Sequence, residues 1–462
     1  MAADHVDRLR REGRIVIVGA SLAGLRAAET LRAEGFTGSL TMIGDEPYEP
    51  YDRPPLSKAV LLGKASAHRT ELPHRHETDA EWRLGVAATG LDLTAKRVRL
   101  ADGDEVEYDR LLIATGVRAR PWSREEEARL DGVFLLRTRD DAARLLQRLR
   151  SARRVFIIGA GFAGCEVASA CREMRLAVTL AERAGAPLVG ALGGVVGAVA
   201  AELQTENGVD LRTGVTVTAL EGDPAGRVRV VHLSDGGKVD TDVVVVSLGS
   251  LRNTEWLTGS GLGAGPRGIA CDAGCRAFDF RGIVTDDVFV AGDVARSPHA
   301  LFGYQFLSLE HWGNAVAQAE TAAHNMICRG ADRRPHLWMP AFWSSQFRVN
   351  IKSVGVPPMG DQIMITQGSL AERRFVGVYG HQGRVVAAVS FDNTRWLEFY
   401  QRQIERGAPF PVEYPTMDRR PEGRQPLDAD FPDPSLPTHG PTVTLSGYSP
   451  ADQQLVFTPG HH

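Results

Sequence analysis

Two short segments of this chain carry the same glycine-rich pattern at the end of an apolar run. The first is Ile15-Val-Ile-Val-Gly19-Ala-Ser-Leu-Ala-Gly24, and the second is Val155-Phe-Ile-Ile-Gly159-Ala-Gly161-Phe-Ala-Gly164. Each combines a β-branched strand, a glycine turn and the start of an Ala-rich helix, which is the context that a dinucleotide-binding turn requires. Glycine lets the backbone approach a pyrophosphate closely, and the N-terminus of the following helix attracts the anion. The pattern therefore predicts two strand–turn–helix units.

Two such turns in one chain indicate two bound dinucleotides, and a common reason for such a pair is hydride transfer from a nicotinamide to a flavin. Each unit continues with a second strand that ends in acidic residues. Residues 39–43 lead to Asp45 and Glu46, and residues 177–181 lead to Glu182. A carboxylate at this position accepts hydrogen bonds from ribose hydroxyls. We expect Glu182 to bind one ribose and Asp45 or Glu46 to bind the other, unless the latter two only form a turn.

Composition excludes several classes of protein. A length of 462 residues suggests roughly three domains, and a net charge of -4 argues against nucleic acid as a bulk partner. The charged N-terminus lacks the apolar run of a signal peptide, and no apolar stretch reaches the roughly 18 residues of a membrane helix. The five cysteines show neither a C-x-x-C pair nor metal-ligand spacing. We expect a cytoplasmic protein with buried, reduced thiols and no metal site.

The order of strand-like and helix-like segments predicts an α/β fold whose two halves have a similar layout. Buried strands that exit through a glycine are expected at 108–116 and 242–249. Further strands are predicted at 208–211 and 227–231, and a helix is predicted at 309–329.

The C-terminal part of the chain has a different character. Alternating strand-like segments, one of them at 384–391, are predicted over 336–406, and a helix at 395–406 closes this region. Residues 411–462 hold 10 of the 25 prolines, a density that excludes long helices and central strands. We expect an extended tail that is either disordered or laid over the surface.

Four further motifs make the chain resemble a known family. They are Pro50-Tyr-Asp-Arg-Pro-Pro-Leu-Ser-Lys58, Val290-Ala-Gly-Asp293, Glu310-His-Trp312 and Phe342-Trp-Ser-Ser-Gln346. Together with the glycine turns they resemble the FAD-dependent, NADH-using ferredoxin reductases that serve putidaredoxin, rubredoxin and Rieske dioxygenases. The same resemblance extends to the flavoprotein domain of apoptosis-inducing factor. It covers about residues 12 to 408 and does not include the Pro-rich tail.

The resemblance implies a glutathione-reductase-type α/β flavoprotein that has two dinucleotide-binding domains and an α+β C-terminal domain. It implies a discontinuous FAD domain at 1–120 and 250–330, an NAD domain at 121–249 and a C-terminal domain at 331–410, with the tail at 411–462. The implied reaction is hydride transfer from NADH to FAD, followed by the transfer of single electrons to an iron–sulfur ferredoxin that feeds an oxygenase.

The resemblance also implies a catalytic pair. It places Lys58 against the flavin ring and Glu166 on the helix of the second glycine turn. A cation near the flavin favours the reduced ring, and a neighbouring carboxylate can position the lysine and bind the nicotinamide amide. The alternative is a surface lysine and a helix-start glutamate that do not meet. Arg137 matches a family arginine near the flavin, or else is a solvated side chain.

Other site residues follow from the same resemblance. Asp293 matches the aspartate that binds the FAD ribityl hydroxyls, and Ser21 is small enough to replace the middle glycine of the first turn. Glu182 favours NADH because a carboxylate repels the 2′-phosphate of NADPH, although the adjacent Arg183 softens that discrimination.

Three aromatic residues are candidates for the flavin edge: His311, Trp312 and Trp343, of which Trp343 has core packing as its alternative. The remaining residues expected to contact a cofactor are Gly19, Ala23, Gly24, Arg53, Ala114, Thr115, Gly116, Gly159, Gly161, Phe162, Ala163, Gly164, Gly249 and Gly292.

Functions from other classes remain open at this point. Disulfide and persulfide reductases of this architecture use cysteine chemistry, but residues 44–58 contain no cysteine. A flavoenzyme that acts directly on a small organic substrate would give the unplaced tail a purpose. A redox-sensing interaction protein is a third possibility, and the presence of Lys58, Glu166 and Glu182 favours turnover over pure binding.

Overall fold

The computed structural model of the chain describes residues 2–413, 425–432, 442–446 and 454–458. A helix that the sequence pattern did not predict, α1 (Ala2–Glu12), precedes the first glycine turn. The elements that follow are β1 (Arg14–Val18), α2 (Leu22–Ala33), β2 (Ser39–Gly44), β3 (Glu81–Leu84), β4 (Ala88–Asp92), β5 (Arg97–Leu100), β6 (Glu105–Glu107), β7 (Arg110–Ile113) and β8 (Val117–Ala119). A short 3-10 helix, Pro54–Ser57, lies within the proline-rich motif.

The middle of the chain forms a second α/β unit. Its elements are α3 (Glu125–Ala128), β9 (Val133–Phe134), α4 (Arg139–Leu149), β10 (Arg154–Ile158), α5 (Phe162–Glu173), β11 (Ala177–Glu182), α6 (Val189–Glu206), β12 (Val209–Thr213), β13 (Val217–Gly222), β14 (Val228–Leu233), β15 (Lys238–Asp240) and β16 (Val243–Val246).

The chain then returns to the first unit. The returning elements are β17 (Ser250–Arg252), β18 (Ala264–Gly265), β19 (Gly268–Ala270), β20 (Arg276–Phe278), β21 (Val284–Val290), β22 (Ala295–His299), β23 (Gln305–Leu307) and α7 (Trp312–Ile327). Helix α7 begins three residues later than predicted, because His311 caps its N-terminus by accepting a hydrogen bond from the Gly313 amide.

The last unit is a sheet with one helix. Its elements are β24 (Ala341–Gln346), β25 (Val349–Gly355), β26 (Gln362–Ser369), β27 (Arg374–His381), β28 (Arg384–Phe391) and α8 (Leu397–Glu405), followed by the tail strands β29 (Leu427–Asp428), β30 (Thr442–Ser446) and β31 (Gln454–Thr458). The predicted closing helix is α8, and the residues before it form a 3-10 turn, Thr394–Trp396.

Two separate, mostly parallel sheets hold the two glycine turns. The first has the order β20-β21-β7-β1-β2-β3, and the second has the order β12-β11-β10-β16-β9. Strand β21 follows the inserted unit in the sequence, yet it belongs to the first sheet, where it pairs in parallel with β7. Four of the five residues of β1 are buried, as expected of a parallel strand that is covered on both faces. The predicted strand at 227–231 is β14, but it pairs antiparallel in a separate sheet, β13-β14-β15.

The chain enters and leaves the inserted unit through two adjacent strands. Strands β8 and β17 pair antiparallel, and the Arg120 amide donates to the Gly249 carbonyl at 2.9 Å. The chain therefore enters and leaves the inserted unit at neighbouring positions, near residues 120 and 250. Beyond it, the C-terminal unit forms one six-stranded sheet in the order β24-β25-β28-β27-β26-β29.

Close backbone contact explains two glycines in each dinucleotide turn. A Cβ atom on Gly19, which has a φ of +122°, would lie 2.1 Å from the Ala114 carbonyl oxygen, and one on Gly24 would lie 2.0 Å from the Gly19 carbonyl oxygen. Gly159 and Gly164 repeat this arrangement in the second unit. The last glycine of each turn therefore serves helix–strand packing.

Part of the Pro-rich tail packs against the folded units. Strand β29 pairs with the edge strand β26, and the Ala429 side chain is buried against α6. The Gly194 amide donates to the carbonyl oxygens of Ala429 and Asp430 at 3.0 and 2.8 Å. Strands β30 and β31 pair antiparallel with each other. The other residues predicted as tail, 414–424, 433–441, 447–453 and 459–462, lie outside the described residues.

The cysteines carry no disulfide and are all buried. Burial raises the pKa of the Cys171 thiol to about 12 and raises that of Cys165 further, so neither thiol is reactive near neutral pH. Among the described residues, no helix combines the length and the apolarity that crossing a membrane requires, and no group of His, Cys, Asp and Glu side chains is placed to hold a metal ion.

Candidate functional site

A cavity of about 670 Å³ lies where the three units meet. Its floor is the carboxyl edge of the first sheet, because β1, β2 and β7 all end there. Its far end is formed by Phe162 and Glu166 on α5 and by Phe342 and Trp343 on β24. The location is the one expected for ligands of parallel α/β sheets, which bind beyond the carboxyl ends of the strands.

Most of the predicted site residues line this cavity: Gly19, Ser21, Ala23, Asp45, Glu46, Arg53, Lys58, Ala114, Thr115, Gly116, Arg137, Phe162, Ala163, Glu166, Gly292, Asp293, His311, Trp312 and Trp343. Gly24 does not line it, because this glycine faces the turn behind the helix.

The start of α2 has the properties of a phosphate site. Ser21 occupies the N-cap position in an extended conformation, but its side chain makes no capping hydrogen bond, and the first turn carries no acidic residue. The free N–H groups at this end therefore face the cavity beside the close approach of Gly19 to Ala114. These features fit the pyrophosphate of FAD.

The acidic residues after β2 differ from each other. The Glu46 carboxylate receives hydrogen bonds from Arg53 Nη2 at 2.6 Å and from the Tyr51 hydroxyl at 2.5 Å. Asp45 is exposed at the cavity edge, and its carboxylate makes no hydrogen bond or ion pair within the described part of the chain. Of the two, Asp45 therefore has the more accessible carboxylate, while that of Glu46 is held by Arg53 and Tyr51.

Arg137 and Asp293 form an ion pair across the domain border. Arg137 Nη2 lies 3.1 Å from Asp293 Oδ2, and Arg137 Nε donates to the Val117 carbonyl at 3.1 Å. Arg137 therefore lines the cavity with its guanidinium group held by two partners, and its side chain is 31% exposed. The arrangement also holds Asp293 directly after β21, where its carboxylate borders the cavity.

Lys58 and Glu166 meet, which excludes the alternative of two unconnected residues. Lys58 Nζ lies 2.6 Å from Glu166 Oε2, and Ser57 Oγ donates to the same oxygen at 2.6 Å. The Lys58 side chain is 28% exposed and that of Glu166 is 8% exposed, and both residues line the cavity. Ser344 Oγ donates to the other carboxylate oxygen at 2.8 Å.

Three aromatic side chains border the cavity near α7. Trp312 Nε1 donates to Asp52 Oδ1 at 2.9 Å. His311 contacts Trp343 edge-on, with 4.6 Å between the ring centroids. Burial lowers the pKa of His311 to about 4, so this ring is neutral near neutral pH. Trp343 is 43% exposed and is therefore not a core residue.

The remaining predicted residues lie on the inserted unit and do not line this cavity: Gly159, Gly161, Gly164, Glu182, Arg183 and Gly249, of which Gly164 is buried. A Cβ atom on Gly161 would meet nothing within 4 Å, so the middle of this turn is open to a ligand. Glu182 Oε2 accepts the Ala160 amide at 2.8 Å, and Oε1 accepts the Ala184 amide at 2.9 Å. Glu182 is only partly buried, and its carboxylate therefore shapes the turn as well as facing solvent.

Asp52, Ser57 and Ser344 were not predicted from the sequence as site residues; the first two line the cavity, and Ser344 contacts Glu166 behind it. Burial raises the pKa of the Asp52 carboxyl, while the Trp312 hydrogen bond and the Lys58 charge oppose that effect. All three residues lie inside motifs that the resemblance had already marked, so position within a motif was the available signal.

Comparisons with known proteins agree with this geometry. Residues 13–319 match the family described as pyridine nucleotide-disulphide oxidoreductase, and residues 341–419 match the family described as reductase C-terminal. The chain is 36% identical over 397 residues to the ferredoxin--NAD(+) reductase component of an anthranilate 1,2-dioxygenase system from Burkholderia cepacia, which covers 85% of this chain and 94% of the relative.

Two further matches concern putidaredoxin reductase. The chain is 33% identical over 405 residues to putidaredoxin reductase CamA from Pseudomonas putida, covering 86% of this chain and 93% of the relative. A crystal structure of a covalent putidaredoxin reductase–putidaredoxin complex superimposes with a TM-score of 0.80 at 30% identity, covering 86% of this chain and 94% of that one.

Proposed function

We propose that this chain, which belongs to the pyridine nucleotide-disulphide oxidoreductase family and within it to the FAD-dependent NADH:ferredoxin reductases, passes electrons from NADH to an iron–sulfur ferredoxin that feeds an oxygenase. The observation that carries the proposal is the Lys58–Glu166 pair at the end of the cavity. It joins the unit of the first glycine turn to the helix that follows the second.

The residues of the first unit fit FAD. The start of α2 would hold the pyrophosphate, Asp45 a ribose, and Asp293 with Arg137 the ribityl chain. When bound, FAD supplies the chemistry by accepting a hydride from NADH and releasing its electrons singly. Lys58 places a cation at the cavity end, and Glu166 holds that cation in one position. The Glu166 side chain is only 8% exposed, so its carboxylate is largely shielded from water.

The second glycine turn fits NADH. The start of α5 would hold the pyrophosphate beside Gly161, and Glu182 would accept the ribose 2′-hydroxyl. We assign NADH as the preferred reductant because the Glu182 carboxylate repels a 2′-phosphate, even with the exposed Arg183 beside it.

Electrons would leave across the edge formed by Trp312 and Trp343. No cysteine is among the residues that line the cavity within the described part of the chain. Thiol relay chemistry is therefore not built into this site, and a one-electron acceptor must approach the edge directly. Trp343 is exposed there, so the protein layer is thin.

The test uses the purified full chain, which should be yellow from non-covalent FAD. NADH oxidation is followed with ferricyanide, and cytochrome c reduction is followed with a ferredoxin from the source organism. Ferredoxin-dependent reduction should fall as salt rises from roughly 50 to 500 mM, because screening weakens charge-steered docking. Direct ferricyanide reduction is the control and should not share that loss.

Two outcomes would contradict the proposal. A folded protein that takes up no FAD would remove its basis. If no ferredoxin accelerates electron flow, and a small organic compound is consumed with NADH instead, the chain is a flavoenzyme that acts directly on that compound.

A further inference from the structure

A buried chain of hydrogen bonds continues behind Glu166, on the side away from Lys58. Ser344 Oγ donates to Glu166 Oε1 at 2.8 Å, and Gln346 Nε2 donates to Ser344 Oγ at 3.2 Å. Gln204 Nε2, on α6, donates to Gln346 Oε1 at 3.0 Å. The side chains of Ser344, Gln346 and Gln204 are at most 1% exposed. Three polar side chains are thus held away from water in a line that ends on one carboxylate.

Every hydrogen bond in this line points toward Glu166. Each donor group faces the next acceptor, and the last acceptor is the carboxylate. The line also connects separate parts of the fold, because Ser344 and Gln346 lie on β24 of the C-terminal unit, and Gln204 lies on the inserted unit. Because all the donors point toward Glu166, the hydrogen bonds are oriented to stabilise its negative charge. Neighbouring hydrogen bonds in a buried chain also polarise and strengthen one another.

The two carboxylate oxygens of Glu166 have different partners. Oε2 receives Lys58 and Ser57 from the first unit, and Oε1 receives Ser344 from the C-terminal unit. The terminal torsion of a glutamate is broad and has no sharp preferred value. Partners on one oxygen therefore leave the plane of the carboxylate free to turn, and a partner on the second oxygen fixes it.

We propose that Ser344, supported by Gln346 and Gln204, is a positioning residue that fixes the Glu166 carboxylate toward Lys58. This proposal rests on the proposed function, because it assigns a role in the reduction of FAD by NADH. None of the three residues reaches the cavity, and they act through Glu166.

Strand geometry supplies a matched control. Side chains alternate between the two faces of β24, so Ser345 faces away from Ser344 and Gln346. Ser344→Ala removes the donor to Glu166, and Ser345→Ala removes an identical hydroxyl one residue away. Gln346→Met is the second variant, which breaks the line one step further back with little change of volume.

The first measurement is stopped-flow reduction of bound FAD by NADH in the full-length holoprotein. We expect Ser344→Ala to lower the limiting rate constant about tenfold, because small misplacements of catalytic groups have effects of this order or larger. The dissociation constant for NADH should stay within about twofold, and Ser345→Ala should match the unmodified protein. In a Glu166→Ala background, Ser344→Ala should have no further effect, since its partner is gone.

The second measurement does not depend on turnover. The chain has five lysines, so 15N-lysine labelling gives at most five side-chain ammonium signals, and Lys58→Arg identifies that of Lys58. In holoprotein without NADH, we expect faster exchange of the Lys58 ammonium protons with water in Ser344→Ala and in Gln346→Met. Exchange at the other four lysines should not change, which separates this effect from general loosening.

The proposal is overturned if Ser344→Ala and Gln346→Met leave both the rate constant and the Lys58 signal unchanged. It is also overturned if Ser344→Ala slows reduction equally with and without Glu166. Failure of the proposed function is a different result, because the unmodified protein would then bind no FAD or would not be reduced by NADH.

Discussion

Glu182 offers the sharpest test of how this chain selects its nicotinamide. Its carboxylate accepts two backbone amides, from Ala160 in the glycine turn and from Ala184 after β11, at 2.8 and 2.9 Å. Glu182→Gln keeps the size of the side chain but removes the charge and one acceptor. The replacement amide group would then face a backbone donor, so one of the two hydrogen bonds is lost.

The structure sets the expected magnitude. A hydrogen bond to a charged group contributes about 1.5–3 kcal/mol, and the contact with the ribose hydroxyl has a similar size. Each 1.4 kcal/mol corresponds to about tenfold in an equilibrium constant. We therefore expect kcat/KM for NADH to fall roughly tenfold to a hundredfold. The value for NADPH should fall less, because the charge that repels its 2′-phosphate is also removed.

The assay is steady-state ferricyanide reduction with each nicotinamide as the electron donor. Unmodified protein should prefer NADH by roughly tenfold or more, and Glu182→Gln should narrow the ratio. Glu202→Gln is the matched control, since Glu202 is an exposed glutamate on α6 of the same unit. Equal use of NADH and NADPH by the unmodified protein would refute the reasoning, and so would a ratio that Glu182→Gln leaves unchanged.

Three further predictions concern other parts of the molecule. Lys58→Met should leave FAD bound but slow its reduction by NADH on the order of tenfold or more, because the cation at the cavity end is lost; an unchanged rate in stopped-flow bleaching of the flavin band would contradict this. Gly193→Ala should lower the free energy of unfolding by about 1–2 kcal/mol or more, since φ is +72° there and the added Cβ would lie 2.2 Å from the Ala429 carbonyl oxygen. Gly190→Ala on the same helix meets nothing within 4 Å and should be neutral or stabilising, so equal losses for the two variants in urea melts would argue against the packing explanation. Burial lowers the pKa of His336 to about 4, so the unfolded chain binds more protons than the folded one between about pH 6.5 and 4, and stability should fall as the pH falls through that window, by up to about 3 kcal/mol for this residue. His336→Gln should flatten that dependence in thermal melts at pH 7.5 and pH 5, and an equally steep fall would count against it.

Features that depend on the local backbone could be predicted from the sequence. Gly19 and Gly159 mark turns that no other residue could form, because a Cβ would strike the backbone of the neighbouring strand. The strands that precede these turns could also be predicted, because buried parallel strands have continuous apolar sequences. The role of Gly24 was harder to predict from the sequence, because it depends on how closely helix α2 packs against the preceding turn.

Contacts between distant segments were not predictable from local patterns. The pairing of Arg137 with Asp293 brings together residues 156 positions apart, and no property of either segment specifies the other. The resemblance predicted that both lie near the flavin, but their mutual contact required the fold. The position of Ala429 against α6 could not be predicted either, because a Pro-rich segment has no periodic pattern that indicates where it packs.

Glu166 could be predicted from the sequence and Ser344 could not, for the same physical reason. Glu166 lies on the helix of a glycine turn, so a local motif points to it. Ser344 is 178 residues away along the chain, and its motif marks the segment without distinguishing this hydroxyl from its neighbours. Its importance comes only from the geometry, which puts the first unit, the inserted unit and the C-terminal unit around one carboxylate. A site that three units assemble can therefore be located from its motifs, but the side chains that hold it in place are found only in the folded structure.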